Sequence, residues 1–375
     1  MRKIMFITGT RADYGKIKSL IREVENSDLF EAYVYVSGMH LVEVFGDTYK
    51  EVLKDNYKNV YVAYGLANTK MTSYDLGDLI CNLTGYVNKI HPDMIVVHGD
   101  RIDALAGATV GALNNIRVAH IEGGELSGTI DESIRHAISK FAHVHFVSNE
   151  AAKKRLIQLG ESRNSIHIIG SPDIDIMISE HLPSKRVVFD YYDITFDNYA
   201  VVMYHPVTTE YKDIGRHIEE VVNALLESGK KYIIIYPNND LGHEVILNEY
   251  LMRLTDKDRF RLYPSLRFEY FLTILKNCEF LLGNSSAGIR EASVYGIPVI
   301  DIGSRQSGRY DVAESKNIQH VDEEKEMILN AIEKTDNHRI RSMMFGDGNS
   351  TQKFIQVLKD ESLWDMSLQK IFQEI

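Results

Sequence analysis

The sequence predicts an α/β protein made of two doubly wound domains, each built on a parallel sheet. Short, continuous apolar runs alternate with helical patterns along the whole chain, which is typical of parallel strands covered by helices on both faces. These runs fall into two sets, one in each half of the sequence. With 375 residues, the chain is long enough for two domains with separate cores.

The predicted strands follow one another with a helical pattern between them. In the first half they are residues 4–8, 32–36, 94–97, 118–121, 144–147 and 166–169. In the second half they are residues 200–204, 232–236, 260–263, 280–282, 298–302 and 318–321. Pro183 interrupts the alternation, so we place the domain boundary near residues 182–185. Residues 351–359 and 363–372 have the pattern of one or two final helices.

Composition excludes several functional classes. The net charge of −11 argues against nucleic acid as the main partner. Two cysteines cannot form a disulfide framework or a paired CxxC metal site. The first apolar run is too short for a secretion signal and better fits a buried strand, and no run has the length of a membrane span. We therefore expect a cytoplasmic protein without a nucleic-acid or membrane partner.

Polar and charged residues follow most of the predicted strands directly. In open α/β sheets the carboxyl ends of the strands line the ligand crevice, so we expect the strand ends of the two domains to face each other across a cleft. The residues at these ends are Arg11, Asp100, Arg101 and Glu122 in the first half, and His205, Asn238, Ser285, Ser286 and Arg305 in the second. Arginines suit phosphate because a guanidinium pairs with it through two hydrogen bonds. For each arginine alone, a surface position is the alternative.

Residues 118–136, VAHIEGGELSGTIDESIRH, combine an apolar strand, a glycine-rich turn and a helix. Thr129 with Glu132 forms a capping-box pattern, which predicts a helix start near residue 130. Asp131 lies one turn before Arg135 on this helix, and a surface ion pair is the plain alternative. Because the stretch lies at a strand-to-helix turn, we include both residues in the candidate site.

Three carboxylates are candidates for proton transfer: Asp100, Glu122 and Asp131. Paired carboxylates are what an acid and a base acting at carbon and at a leaving oxygen require. The pattern leaves open which of the three is the base.

Residues 283–288, GNSSAG, are the best phosphate-binding candidate. Small residues let the backbone approach an anion, and Ser285 and Ser286 can donate hydrogen bonds to it. A tight strand–helix turn with a serine N-cap is the alternative. Glu291 is expected on the first turns of the helix that follows this turn, where it suits ribose hydroxyls or is simply favoured by the helix dipole. The P-loop pattern GxxxxGK[ST] is absent.

Histidines offer one candidate for catalysis and one for metal binding. His205 precedes Pro206 at a strand end, a position that favours a function over the usual structural role. His143 and His145 are spaced to share one strand face, but no third ligand lies near them in the sequence. We therefore expect no metal.

Taken together, these motifs resemble those of the hydrolysing UDP-N-acetylglucosamine 2-epimerases, the branch that serves bacterial sialic- and legionaminic-acid pathways. In the first half they are TGTRADYGK (8–16), SGMHL (37–41), HGDR (98–101) and HIEGGELSGTIDESIRHAISK (120–140). In the second half they are HP (205–206), GNSSAGIRE (283–291) and IGSRQSGR (302–309). The non-hydrolysing branch tends to have an FGTRPE-like start and a PEExxR element. Here residues 130–132, IDE, stand where that element would begin, with Arg135 kept.

The resemblance implies a GT-B-like fold of two Rossmann-like domains, in which the last helix crosses back onto the first domain. The domains then comprise residues 1–182, completed by a helix over 360–375, and residues 183–359, the nucleotide-binding domain. The family commonly forms dimers or tetramers, so a homodimer or homotetramer is expected.

The resemblance also implies roles for the candidate residues. Ser285, Ser286 and Glu291 would hold diphosphate and ribose, His205 and Arg11 would contact the diphosphate, and Asn238 would lie near the nucleotide. Arg101, Glu122, Asp131 and Arg305 would surround the sugar and the breaking bond. We assign proton transfer to Asp100, Glu122 and Asp131, the leaving group to His205, and substrate binding to Arg135.

The implied reaction eliminates UDP to give a 2-acetamidoglycal, and then adds water to release the free manno epimer. It needs no redox cofactor and no metal, so we expect no cofactor. A close variant acts on UDP- or GDP-linked N,N'-diacetylbacillosamine. A glycosyltransferase that uses a UDP-sugar donor is the alternative on the same architecture. A non-catalytic nucleotide-sugar sensor is a third possibility, but it leaves the three carboxylates unexplained.

Overall fold

The chain divides into two units, each built around its own parallel sheet. The computed structural model describes residues 1–43, 46–66, 69, 71–126, 130–179, 182–238, 240–310, 315–371 and 373. The first unit comprises Met1–Ile178 together with Met344–Ile375, and the second comprises Ser179–Met343. The predicted fold class of two doubly wound α/β domains is confirmed.

The first unit contains a seven-stranded sheet in the order β3-β2-β1-β4-β5-β6-β7, and every neighbouring pair is parallel. Its strands are β1 (Arg2–Thr8), β2 (Phe30–Val36), β3 (Val60–Val62), β4 (Met94–His98), β5 (Arg117–Ile121), β6 (Val144–Val147) and β7 (Ile166–Ile168). Its helices are α1 (Arg11–Glu25), α2 (Tyr49–Lys54), α3 (Thr72–Ile90), α4 (Ile102–Leu113), α5 (Ile130–Phe141), α6 (Glu150–Gln158) and α7 (Pro172–Met177). The central strands β4 and β5 are buried along their whole length, because helices cover both faces.

The second unit contains a six-stranded parallel sheet in the order β10-β9-β8-β11-β12-β13. Its strands are β8 (Ala200–Met203), β9 (Tyr232–Ile235), β10 (Phe260–Tyr263), β11 (Leu281–Gly283), β12 (Val299–Ile302) and β13 (Ile318–Val321). Its helices are α8 (Lys185–Tyr192), α9 (Ile214–Glu227), α10 (His243–Arg253), α11 (Phe268–Lys276), α12 (Ser286–Ile289), α13 (Glu291–Tyr295) and α14 (Lys325–Glu333).

Each sheet has one point where the direction of strand addition reverses. In the first unit it lies between β1 and β4, and in the second between β8 and β11. Ligands of doubly wound proteins bind outside the carboxyl ends of the strands at this point. The loops that start at Gly9 and Gly99, and those that start at Tyr204 and Asn284, therefore lie where a ligand is expected in each unit.

Two elements of the first unit differ from the sequence prediction. The edge strand β3 was not predicted, because three residues are too few to show a clear period. The return to the first unit begins at Met344 and not at residue 360. Helix α15 (Ser350–Lys359), which the prediction placed in the second domain, packs Phe354, Ile355 and Leu358 into the same core as β1.

Among the described residues of the predicted helix over 360–375, only the first part is helical. Helix α16 covers Glu361–Asp365, and residues 372, 374 and 375 lie outside the described residues. Arg117 of β5 donates hydrogen bonds of 2.8 Å to the carbonyls of Trp364 and Met366, which binds this segment to the sheet as the helix ends. Further on, the Lys370 ammonium donates to the carbonyls of Ser139 and Ala142, at the carboxyl end of α5, where a cation is favoured by the helix dipole.

Within the described residues, none of the helices combines the length and the apolar character that a membrane crossing requires.

Candidate active site

Glu122 is the centre of a cluster at the carboxyl ends of β4 and β5. It follows β5 directly, is 2 % exposed, and has a left-handed backbone with φ of 61°. Its Oε2 lies 3.2 Å from Nε2 of His98, the last residue of β4, and 3.8 Å from Nζ of Lys16 on α1. Its Oε1 accepts a hydrogen bond from the Ser171 hydroxyl. A carboxylate surrounded by a histidine, an ammonium and a hydroxyl is equipped to exchange protons.

Arg135 connects two of the predicted carboxylates through α5. Its Nη1 donates a 2.6 Å hydrogen bond to the backbone carbonyl of Glu122, and its Nη2 forms an ion pair with Asp100. The guanidinium is buried. Arg135 therefore fixes the position of the Glu122 backbone and of the Asp100 carboxylate, instead of facing solvent as the surface ion-pair interpretation requires.

Asp131 lies in the first turn of α5, which begins at Ile130 as predicted, and its side chain is half-buried. Thr129, the other half of the predicted capping box with Glu132, lies outside the described residues.

The TGTRADYGK turn is held together by Asp13. Thr10 caps α1, and the Asp13 carboxylate accepts hydrogen bonds from the Thr8 hydroxyl and from the backbone N–H of Gly9 and Thr10. Arg11 is thereby fixed at the start of α1, and its Nη2 lies 2.9 Å from Oε1 of Glu51. A ligand phosphate at this turn would compete with Glu51 for the guanidinium.

Arg101 occupies the N-cap position of α4 and is exposed. Its Nη2 contacts the Met39 sulfur at 3.3 Å. Two residues on, the buried Asp103 accepts a 2.5 Å hydrogen bond from the Ser37 hydroxyl. Burial raises the pKa of Asp103, and the nearby charge of Asp13 adds to the rise.

In the second unit, His205 is fixed by the neighbouring strand ends. Its backbone N–H donates to Oδ1 of the buried Asn284 at 2.7 Å, and Asn284 Nδ2 donates to the His205 carbonyl at 2.9 Å. The backbone N–H of Asn238 donates to Nδ1 of the imidazole at 3.0 Å. Burial, with a smaller contribution from the charge of Arg305, lowers the pKa of His205 to about 3. The ring is therefore neutral at physiological pH, and its hydrogen lies on Nε2.

The GNSSAG loop starts at the carboxyl end of β11, against β8. Gly283 has φ of 138°, and a Cβ added there would lie 2.1 Å from the carbonyl oxygen of Met203, so no side chain fits. Ser285 caps the following turn through the N–H of Ala287, and Ser286 is the first residue of α12. The predicted single helix is broken at Arg290, so the buried Glu291 begins a second short helix, α13.

Arg305 follows β12 and reaches the same loop. Its Nη1 donates a 3.0 Å hydrogen bond to the carbonyl of Asn284, and Gln306 Nε2 donates to the same oxygen at 2.7 Å. The side chain of Asn238 contacts Asp240. His205, Asn238, Ser285, Ser286 and Arg305 thus belong to loops that are joined by hydrogen bonds around Asn284 and His205, at the reversal point of the second sheet.

Glu210, His217 and Glu323 form a second group in this unit, with one ligand atom from each within 4.8 Å of the others. Arg216 donates to Nε2 of His217 at 2.9 Å, so the hydrogen of a neutral ring lies on Nδ1, 3.6 Å from Glu323. Ser304 donates to Glu210, and Tyr204 donates to Glu323 at 3.4 Å. The group fits a hydrogen-bond network better than a cation site, because the nitrogen nearest the carboxylates carries a hydrogen.

His143 and His145, the other metal candidates, have separate partners. His143 accepts from the N–H of Val118 at 3.0 Å and lies 3.1 Å from the carbonyl of Leu368. His145 lies 3.1 Å from Oε2 of the buried Glu161, which also binds the ammonium groups of Lys140 and Lys370. Both histidines therefore connect β6 to its surroundings.

Four residues of the first cluster were not predicted as site residues: Lys16, His98, Ser171 and Asp173. The Lys16 ammonium lies 3.4 Å from Oδ2 of Asp173, which is buried at the start of α7. Lys16 and His98 occur inside the motifs TGTRADYGK and HGDR. Ser171 and Asp173 come soon after the predicted strand 166–169, so they carry the same signal of a polar residue at a strand end.

Comparisons with known proteins define first the class and then the family. The fold is that of the GT-B-like nucleotide-sugar enzymes. A crystal structure of UDP-GlcNAc 2-epimerase from Neisseria meningitidis bound to UDP-GlcNAc superposes with a TM-score of 0.81, at 19% identity, over 95% of this chain and 99% of that one. The family model for UDP-N-acetylglucosamine 2-epimerase matches residues 22–359. The chain belongs to the UDP-N-acetylglucosamine 2-epimerase family.

Two curated relatives match over nearly their full length. A UDP-N-acetylglucosamine 2-epimerase of Neisseria meningitidis serogroup B is 46% identical over 100% of both chains. A UDP-N,N'-diacetylbacillosamine 2-epimerase (hydrolyzing) of Legionella pneumophila is 35% identical over 99% of both.

Proposed function

We propose that this protein is a hydrolysing nucleotide-sugar 2-epimerase. It converts UDP-N-acetylglucosamine and water into UDP and the free manno-configured sugar, for nonulosonic acid biosynthesis. The observation that carries the proposal is the buried Glu122 between His98, Lys16 and Ser171, in a chain that also has a phosphate-type loop beside a neutral histidine. The names of the relatives support a 2-epimerase, and the Legionella relative supports the hydrolysing type.

The first half-reaction is an elimination. A carboxylate takes the hydrogen from C2, the electrons of that C–H bond form the C1–C2 double bond, and the C1–O bond breaks to release UDP. We assign the base to Glu122, with Asp100 and Asp131 as the other proton-transfer groups. Because the C2 hydrogen is poorly acidic, cleavage of the C1–O bond has to run ahead of proton removal from C2. Hydrogen-bond donors must then stabilise the charge that grows on the diphosphate.

The second unit supplies such donors. The neutral His205 presents its Nε2–H, and Ser285, Ser286 and Arg305 add hydroxyl and guanidinium hydrogens. Arg11 adds a further guanidinium from the first unit. We propose that Glu291 holds the ribose hydroxyls, that Asn238 lies near the nucleotide, and that Arg101 and Arg135 orient the sugar. A histidine that is already neutral donates a hydrogen bond without losing its proton, which suits a diphosphate that leaves as an anion.

The second half-reaction is the hydration of the glycal. Water adds its hydroxyl to C1, and a proton returns to C2 from the opposite face, which inverts that carbon. Overall one water is consumed, and no electrons are gained or lost. The same chain of steps applies to UDP- or GDP-linked N,N'-diacetylbacillosamine. We also propose that the active form is a homodimer or homotetramer, which sedimentation of the purified protein tests.

The test is proton NMR of the protein with UDP-N-acetylglucosamine in deuterated water. We expect UDP and free N-acetylmannosamine with deuterium at C2. In H₂¹⁸O the label should be absent from the UDP, because the C1–O bond breaks and not the P–O bond. Accumulation of UDP-N-acetylmannosamine without UDP would show a non-hydrolysing enzyme. If turnover is absent, the two diacetylbacillosamine donors are tested next, and failure on all three donors contradicts the proposal.

Glu122→Gln is the matched control for this experiment. It should lose turnover by at least about 100-fold while it keeps its affinity for UDP, since the nucleotide groups belong to the second unit. A glycosyltransferase, the alternative function, would release UDP only when an acceptor is added.

A further inference from the structure

Asp173 is a buried carboxylate with no role in the steps above. It lies in the first turn of α7 and is 1 % exposed. Among the described residues, neither of its oxygens accepts a hydrogen bond, and the Lys16 ammonium at 3.4 Å is its ion-pair partner. A buried carboxylate with one counter-ion contributes little to stability, because desolvation offsets the Coulomb attraction. Folding therefore does not explain its position.

Lys16 connects Asp173 to the proposed base. The same Nζ lies 3.8 Å from Oε2 of Glu122, so one ammonium serves two buried carboxylates. The segment that carries Asp173 also supplies Ser171, whose hydroxyl donates to the other oxygen of Glu122. Helices α1 and α7 thus act on Glu122 together.

Charged or titratable groups face Glu122 from each element described around it. Lys16 comes from α1, His98 from β4 at 3.2 Å, and Asp173 from α7, while Arg135 of α5 binds the Glu122 carbonyl and pairs with Asp100. Apart from His98, the positive charges of Lys16 and Arg135 stand against the three carboxylates of Glu122, Asp173 and Asp100. The carboxylates of the group therefore outnumber these two cations by one, and Glu122 is the carboxylate that lies beside both His98 and Lys16.

We propose that Asp173, acting through Lys16, sets the protonation state of Glu122 and is a positioning residue for the proton transfer at C2. This inference rests on the proposed function. Lys16 alone would hold Glu122 ionised and make it a weak base. The negative charge of Asp173 offsets part of the effect of Lys16 on Glu122. Glu122 can therefore accept the C2 proton and release it again before the next turnover.

Three variants test the inference through the pH dependence of kcat/KM, whose acid limb reports the ionisation of the free enzyme. In Asp173→Asn the full charge of Lys16 acts on Glu122, so the acid limb should move to lower pH by about one unit, with a lower plateau. In Lys16→Met the two carboxylates repel each other, so the limb should move up by about one unit or more. The double variant should return toward the position of the wild type.

Asp175→Asn is the matched control. Asp175 lies on the same helix but accepts hydrogen bonds from the backbone N–H of Ser350 and Thr351, at 2.9 and 2.6 Å. It should lower stability without moving the acid limb. If Asp173→Asn folds and its limb stays in place, or if both single variants move the limb in the same direction, the inference is wrong.

A second readout does not depend on turnover. Carbon NMR of protein labelled with ¹³Cδ-glutamate, with the Glu122 signal assigned by its loss in Glu122→Gln, follows the titration of this carboxyl directly. The same opposite shifts are expected in Asp173→Asn and Lys16→Met. If the wild type turns over none of the sugar donors while these shifts appear, the proposed function fails and the coupling of the three residues stands. If the shifts are absent, the coupling fails whatever the activity.

Discussion

At Glu122, backbone and side chain are held by different parts of the first unit. The left-handed backbone, unfavourable for a residue with a Cβ by roughly 1 kcal/mol, is fixed by hydrogen bonds between its N–H and Phe146, and between its carbonyl and Arg135. This conformation turns the side chain toward His98 and Lys16. Strain at a residue that also carries a buried charge is typical of functional sites.

His205 permits a prediction at the level of single atoms, because its two ring nitrogens have different partners. Nδ1 accepts from the backbone N–H of Asn238, and in the proposed mechanism Nε2–H donates to the diphosphate. The side-chain amide of asparagine can take the place of Nδ1, and that of glutamine can take the place of Nε2. We expect His205→Asn to lower kcat/KM about 100-fold and His205→Gln to lower it much less.

The pH profile provides the control for this prediction. Because the pKa of His205 is lowered to about 3, the ring does not titrate between pH 5 and 8 in the free enzyme. His205→Gln should therefore keep the shape of the wild-type kcat/KM profile. Equal losses in the two variants, or loss of a limb in His205→Gln, would contradict the proposed role of Nε2–H.

Single residues also show where the sequence was informative about the site. Strand ends were visible as apolar runs followed by polar residues, so Glu122, Asp100 and His205 could be selected. Asp173 also comes soon after a predicted strand, but its significance depends on Lys16 and Glu122, which lie far from it along the chain. Only the parallel pairing of the strands brings such residues together.

Among the elements, the loop after β11 makes the sharpest demand on its sequence. Gly283→Ala would place a methyl group against the Met203 carbonyl, in a backbone conformation that alanine avoids. We expect a loss of roughly 2 kcal/mol or more in the free energy of unfolding, together with weaker UDP binding. Urea unfolding and calorimetric titration with UDP measure the two effects.

Gly85 of α3 is the matched control for Gly283. A Cβ at Gly85 meets nothing within 4 Å, and the residue lies inside a regular helix. Gly85→Ala should therefore raise the stability by roughly 0.5–1 kcal/mol and leave UDP binding unchanged. A stabilised Gly283→Ala variant with normal UDP affinity would show that the loop does not need its close approach to β8.

Helix α15 shows why element positions were easier to predict than element partners. Its apolar face, which includes Phe354 and Leu358, was visible as a helical period and fits any apolar sheet face equally well. Which of two sheets it covers depends on packing that a single sequence does not encode locally. The prediction therefore located the helix and assigned it to the wrong unit.

For the whole molecule, buried neutral histidines predict sensitivity to acid. Burial is the main cause that lowers the pKa to about 3 in His120, to about 4 in His143 and to about 3 in His205. The unfolded chain then takes up protons near pH 6.5 that the folded protein does not. Each such histidine contributes stability above pH 6.5, and this contribution is lost as the pH falls toward 3–4, by up to about 1.4 kcal/mol per pH unit.

Urea unfolding at pH 7.5, 6.0 and 5.0 measures this dependence. We expect the midpoint to fall steadily with pH, and to fall less in His143→Asn, which keeps an acceptor for the N–H of Val118 and cannot titrate. The exposed His91 is the control, and His91→Asn, which tolerates the left-handed backbone at this position, should keep the wild-type dependence. A midpoint independent of pH over this range would contradict the prediction.

The return of the chain to its first unit has a consequence for biosynthesis. A ribosome delivers the seven strands of the first sheet early, but Phe354, Ile355 and Leu358, which belong to the core beneath β1, only after all of Ser179–Met343. Until then part of one apolar face of the nascent sheet is left uncovered beside α1, while the second unit is synthesised. The unit that holds the acid–base cluster is thus begun before the second unit and completed after it, and a chain that stalls in between would present it incomplete to chaperones and proteases.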